Sequence, residues 1–216
     1  MLTAVTVTLL LVSAASGTAA QEPPLPLYGQ LMVAAFSADD TDENLEGDSF
    51  DLTLVGVAAQ KPLLADLPVD LGFETGALLS WKNDTRFAQI SSGPSGGTIR
   101  VEIENQMLLV DYFFGGYAGF RPTRWLRLFA GAGPLLVYGY QEIEPEPYNG
   151  ASPEKTYDSK LAIGAYARCG AEIVFTDRCM LGAGVRATTS GLEFKEPVGS
   201  IRYEGIQYFL SFSFSL

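Results

Sequence analysis

Residues 208–216, YFLSFSFSL, carry a bulky apolar side chain at alternate positions and serine at three of the places between. Successive side chains on a strand point to opposite faces, so this period-two pattern describes a β-strand with one oily face and one small polar face. A helix would not produce it. The alternation recurs along the chain. Val69, Leu71, Phe73, Ala77 and Leu79 are apolar, and Asp70, Gly72, Glu74, Gly76, Leu78 and Ser80 fall between them. Leu161, Ile163, Ala165, Ala167, Cys169, Ala171, Ile173 and Phe175 likewise oppose Lys160, Tyr166, Arg168, Gly170 and Glu172. Leu181, Ala183, Val185 and Ala187 oppose Gly182, Gly184 and Arg186.

The pattern predicts eight strands, near residues 25–36, 49–59, 67–81, 99–120, 124–141, 158–175, 179–189 and 205–216. The connections alternate in length. Residues 37–48, 82–98, 142–157 and 189–204 form long polar stretches, whereas 60–66, 121–124 and 176–178 are short. The expected fold is therefore all-β, an eight-stranded antiparallel up-and-down transmembrane β-barrel with four long extracellular loops and short periplasmic turns. A soluble, lipocalin-like barrel would put its oily face inside. Here the second face mixes glycine with charges of both signs, which suits a narrow enclosed interior and places the apolar face against lipid. The second stretch, SFDLTLVGVAA, is ambiguous in its faces. In the fourth, Val101 and Ile103 are out of phase with Leu108, Val110, Tyr112 and Phe114. This predicts a bulge, or a segment beyond the membrane, near Asn105 to Met107.

Counting from the short turns places Glu74, Asp111, Arg168 and Arg186 in one mid-height layer of the lumen, with Arg127, Asp70 and Glu172 nearer the periplasmic end. An uncompensated buried ion costs several kcal/mol, so these groups are expected to pair. The pairs would act as an ion gate or as a structural plug, and the small bore of eight strands favours the plug.

Residues 1–20 carry no charged side chain, centre on the apolar run Ala4 to Val12 and end in small residues, which reads as a signal peptide ahead of a barrel domain at 21–216. The usual Lys or Arg before the apolar run is missing, which leaves an upstream start codon open. A net charge of −11 argues against nucleic acid as a partner. The chain has no histidine, which removes Ser-His-Asp hydrolases and most zinc sites. No catalytic residue, metal centre or cofactor is expected. In the acidic first loop, Asp40, Asp42, Asn44, Glu46 and Asp48 resemble a calcium loop only in part, because Leu45 stands where glycine is required. Cys169 and Cys179 are offset by roughly 17 Å along a hairpin, beyond the ~7 Å reach of a disulfide. The glycine pairs Gly131/Gly133 and Gly182/Gly184 fit strand positions that leave room for large lumen side chains rather than a nucleotide loop.

With hairpin segments such as LFAGAGPLL and GAEIVFTDRCMLGAGVRAT and an aromatic last strand, the chain resembles the small eight-stranded outer-membrane proteins of Gram-negative bacteria, the OmpA-, OmpX- and OmpW-like group. The resemblance implies the cell outer membrane as location and a final strand read by the barrel-insertion machinery. Tyr208, Leu210, Phe212 and Phe214 match that signal, and Leu216 replaces its terminal Phe. It further implies lipid and lipopolysaccharide as surroundings and a monomer. The expected function is a non-enzymatic envelope or surface-contact protein. The alternatives are a narrow channel or transporter for ions or small apolar molecules, and a soluble carrier.

Overall fold

The computed structural model describes residues 27–38, 50–64, 69–92, 97–145, 156–176, 178–194 and 201–215. The signal-peptide segment, the calcium-like loop residues and Leu216 lie outside them.

Eight long strands form the wall. They are β1 (Tyr28–Ala38), β2 (Phe50–Leu64), β3 (Val69–Ser92), β4 (Gly97–Thr123), β5 (Leu126–Pro145), β6 (Thr156–Thr176), β7 (Cys179–Ser190) and β10 (Gly205–Ser215). Between β7 and β10 lie the two-residue strands β8 (Glu193–Phe194) and β9 (Ile201–Arg202), paired as a small separate sheet. Each wall strand pairs antiparallel with its chain neighbours. Closure comes from β1 on β10, running from Tyr28 opposite Ser215 to Phe36 opposite Gln207. The closed ladder satisfies the backbone N–H and C=O groups that would otherwise face hydrocarbon.

The polarity is as the alternation predicts. Leu71, Ile163 and Phe212 are 39%, 77% and 42% exposed, whereas Glu74 and Arg168 are 2% and 3%. The soluble-carrier arrangement is thereby reversed. Exposed Phe120, Trp125 and Phe175 sit toward the short-turn end, and Trp81, Tyr138 and Tyr157 toward the other. Ten residue steps separate Leu128 from Tyr138 on β5. At ~3.3 Å per residue and a ~40° tilt they span about 25 Å, the height of a lipid-facing band.

Two expectations need correction. Residues 82–98 are not a loop, because β3 runs to Ser92 and β4 begins at Gly97, paired throughout. No bulge interrupts β4 near Asn105 to Met107, since its register against both β3 and β5 is continuous there. Register shifts instead fall beside the short turns, at Pro62/Leu64, Phe120/Thr123 and Val174/Thr176. Pro62 has no N–H to donate, which suits a break in the ladder. The ambiguous β2 resolves with Leu52, Leu54, Ala58 and Gln60 inward and Val55 and Val57 outward. Both cysteines are free, as their offset predicts.

Candidate functional site: an ionic and aromatic column in the lumen

The inward positions of the strands deliver six of the seven predicted lumen charges into three fully buried ion pairs. At the lowest tier Arg127 Nη1 donates to Glu172 Oε2 at 2.5 Å. In the middle, Arg168 donates from Nε and Nη2 to Glu74 Oε2, at 3.1 and 2.5 Å. At the top, Arg186 grips Asp111 with two nitrogens, at 2.6 and 2.8 Å. Glu74, Asp111, Arg168 and Arg186 therefore occupy two tiers rather than one layer, because strand tilt lifts the β4–β7 pair above the β3–β6 pair. Asp70 is only half-buried and makes no ion pair among the described residues.

Two glutamines join the lower tiers. Gln60 accepts from Arg127 Nη2 at 2.9 Å and donates to Glu74 Oε2 at 2.9 Å. Gln30 donates to Glu172 Oε1 at 3.1 Å and accepts from Arg168 Nη2 at 3.1 Å. Ser213, one of the serines in the terminal alternation, donates to Glu172 Oε1 at 2.6 Å. The serine face of β10 thus lines the lumen.

Aromatic rings separate the three cations. The Arg127 guanidinium carbon lies 5.0 Å from the Tyr28 ring centre and 5.9 Å from that of Phe129. Arg168 lies 5.5 Å from Phe129 and 5.2 Å from Phe113, and Arg186 lies 4.8 Å from Phe113. Rings and guanidinium groups therefore alternate up the bore, and Phe113 and Phe129 each serve two arginines. A ring face attracts cations and takes the place of water between like charges. Tyr166 ties the upper tiers together by donating its hydroxyl to Glu74 Oε1 at 2.9 Å while its ring lies 5.3 Å from Arg186.

Both ends of the column are covered. Below, Arg121 reaches across the mouth and donates to the Tyr28 hydroxyl at 2.9 Å. Above, Tyr203, from the connection between β7 and β10, donates its hydroxyl to Asp111 Oδ2 at 2.7 Å and accepts from Gln207 Nε2 at 2.6 Å. Burial, followed by the neighbouring Asp111 carboxylate, raises the Tyr203 hydroxyl well above its ordinary pKa and keeps it a donor. Glycine makes room for the packing. At Gly131 the Glu74 carboxylate occupies the place where a Cβ would sit.

Sequence reasoning missed Tyr28, Gln30, Gln60, Phe113, Phe129, Tyr203 and Gln207. A signal existed for some of them, since Phe113 and Phe129 share parity with Asp111 and Arg127. Tyr203 carried none, because it lies outside the alternating stretches. The insertion-signal residues Tyr208, Leu210 and Phe212 project outward, and Phe214 is half-buried beside Gly29.

An eight-stranded closed barrel with an apolar exterior and an ionic lumen is the fold of the small outer-membrane β-barrels. No protein-family model and no curated protein matches the sequence. Among solved structures the chain is similar to Ail, the attachment invasion locus protein of Yersinia pestis. The TM-score is 0.53 at 8% identity, covering 90% of this chain and 100% of that one. It also matches the outer membrane protein OprG from Pseudomonas aeruginosa, with a TM-score of 0.48, 11% identity and coverage of 89% and 96%. For Neisserial surface protein A the corresponding values are 0.45, 15%, 88% and 96%. At such identities the likeness to Ail concerns the fold alone.

Proposed function

We propose that the chain is an integral, monomeric protein of the bacterial outer membrane that performs no enzymatic chemistry. In this reading it is a closed, rigid barrel that contributes to envelope integrity and meets lipopolysaccharide and other surface contacts through its long acidic connections. The final strand, ending Tyr208, Leu210, Phe212, Phe214 and Leu216, presents the signal for the insertion machinery. The observation that carries the reading is the filled lumen. Three buried ion pairs, the rings between them, Arg121 below and Tyr203 above occupy the bore among the described residues. An ion channel would require each tier to part and leave buried charges uncompensated. Planar-bilayer recording of the purified protein is expected to give no stable conductance steps. Steps whose size changes on Glu74→Ala would overturn the closed reading. Recovery of the mature protein in an aqueous periplasmic fraction without detergent would overturn the membrane reading.

A further inference from the structure

One basic residue stands on the lipid-facing wall without a partner. Lys61 follows Val55, Val57 and Ala59 on the outward face of β2, opposite Phe73 of β3, and it is exposed. It makes no hydrogen bond or ion pair with any described residue. Its inward neighbour Gln60 bonds Arg127 in the lowest tier, and Arg127 directly precedes Leu128 at the foot of the lipid-facing band. Lys61 therefore stands at the periplasmic edge of the hydrocarbon, where a cation on a barrel exterior is tolerated because it reaches the headgroups. From it a groove of about 580 Å³ runs up the wall toward the bilayer centre. Ala59, Gly116 and Pro134 form its floor, and the rings of Phe73, Tyr112 and Phe114 stand beside it. A Cβ at Gly116 would meet only Gly72 O, at 3.9 Å, so the floor there is open. The Thr75 hydroxyl lies 3.1 Å from the Tyr112 hydroxyl and 3.1 Å from the Phe113 carbonyl oxygen, which satisfies both hydroxyls within the protein. The groove thus offers apolar surface along its length and one unpaired charge at its foot.

We propose that this groove holds one acidic phospholipid of the periplasmic leaflet, its phosphate on Lys61 and an acyl chain laid along the floor between the rings. Charge complementarity chooses the occupant. A bare alkyl chain would cover the apolar surface but leave the Lys61 ammonium unpaired at the edge of the hydrocarbon. A zwitterionic lipid brings an ammonium of its own beside Lys61, whereas a lipid of net negative charge brings the phosphate without that opposing cation. A free phosphate would meet the lysine and leave the groove empty. The site goes beyond the envelope reading, rests only on the outer wall meeting lipid, and requires no opening of the lumen.

The test uses the folded full-length barrel in detergent micelles, with bound lipid counted by native mass spectrometry after addition of dioleoylphosphatidylglycerol or, separately, dioleoylphosphatidylethanolamine. The wild type is expected to bind phosphatidylglycerol about fivefold more tightly, the preference that one lysine beside an anionic headgroup supplies. Lys61→Gln should bring that ratio to about one. Gly116→Leu puts a side chain into the open floor and should weaken both lipids while leaving their ratio unchanged. Arg178→Gln removes an exposed cation from the β6–β7 turn, across the barrel from the groove, and should change neither. Equal binding of the two lipids by the wild type, a ratio that survives Lys61→Gln, or undiminished binding by Gly116→Leu overturns the proposal. So does an effect of Arg178→Gln as large as that of Lys61→Gln, which would mean diffuse surface charge, and so does displacement of the lipid by an equal concentration of inorganic phosphate, which would assign Lys61 to a free anion. If Gly116→Leu does not fold, the ratios of the wild type, Lys61→Gln and Arg178→Gln decide alone.

Discussion

Replacing Glu74 by glutamine tests the middle tier, where one carboxylate gathers Tyr166, Gln60 and Arg168. The amide is nearly the same size, but it carries no charge and presents an NH2 group to a guanidinium that can only donate. Arg168 would keep Gln30 Oε1, at 3.1 Å, Met32 Sδ, at 3.4 Å, and the single amide oxygen of the new glutamine as hydrogen-bond acceptors, none of them charged. Phe113 and Phe129 remain, but they face the cation in the parent as well and do not replace the lost charge. Leaving a buried ion without its partner costs about 3–5 kcal/mol. Glu74→Leu combined with Arg168→Met removes both charges and fills similar volume. Because a buried pair exchanged for apolar groups is often neutral or stabilising, the double variant is expected within about 1–2 kcal/mol of the parent. The residual cost comes from Gln60, Gln30 and Tyr166, which lose partners. Urea-dependent folding into lipid vesicles, read by the mobility of unheated samples on a gel, gives both free energies. A Glu74→Gln cost below about 1 kcal/mol, or a double variant as damaging as the two single changes combined, would refute a desolvated, mutually compensating pair.

Other outcomes follow from the same geometry. Gly131→Ala places a methyl group on the Glu74 carboxylate and is expected to cost about 1–3 kcal/mol. The penalty should shrink in the Glu74→Leu/Arg168→Met background, measured by the same urea titration. Phe113→Leu removes the ring shared by Arg168 and Arg186, with an expected loss of about 1–3 kcal/mol, larger than for the same change at lipid-facing Phe114. Leu210→Arg on the outer wall should cost about 2–4 kcal/mol in bilayers, whereas Leu210→Phe should stay within about 1 kcal/mol. The raised Tyr203 hydroxyl gives a sign for pH. A neutral phenol is favoured in the fold, so its contribution is intact below the ordinary value of 10.0 and is lost as pH rises further. Tryptic cleavage after Arg202 should accelerate above that value in the wild type and depend less on pH in Tyr203→Phe.

The wall was readable because period two survives wherever one face meets lipid. Leu71, Phe73, Ile163 and Phe212 are all exposed at positions that alternation sends outward. The charges that fill the lumen were readable for the same reason, since Glu74, Asp111, Arg127, Arg168, Glu172 and Arg186 share the opposite parity. Which acid meets which base was not. That choice depends on the tilt of the closed sheet, which carries Arg186 on β7 across the bore to Asp111 on β4 although neither strand neighbours the other. Tyr203 stayed hidden because its burial arises from the path of a connection, and no periodicity records that.

The out-of-phase residues of β4 have a common cause with the ambiguity of β2, and it is a change of solvent rather than of backbone. Low on β2, Val55 and Val57 face out while Gln60 faces in; higher up, Asp51 and Thr53 are exposed and Leu52 and Leu54 are buried. On β4, Tyr112 and Phe114 are exposed opposite buried Asp111, and further along Gln106 is exposed while Met107 and Leu109 are buried. Register is continuous through both regions. Where the exterior meets hydrocarbon, apolar side chains gain nothing by turning inward, and the lumen can hold ions that compensate one another. Beyond the lipid the exterior meets water, and the lumen becomes the only place to bury leucine and methionine. The switch in phase therefore marks the membrane boundary. It also explains why an apolar compartment sits directly above an ionic one inside a single uninterrupted barrel, with Tyr203 crossing the junction between them.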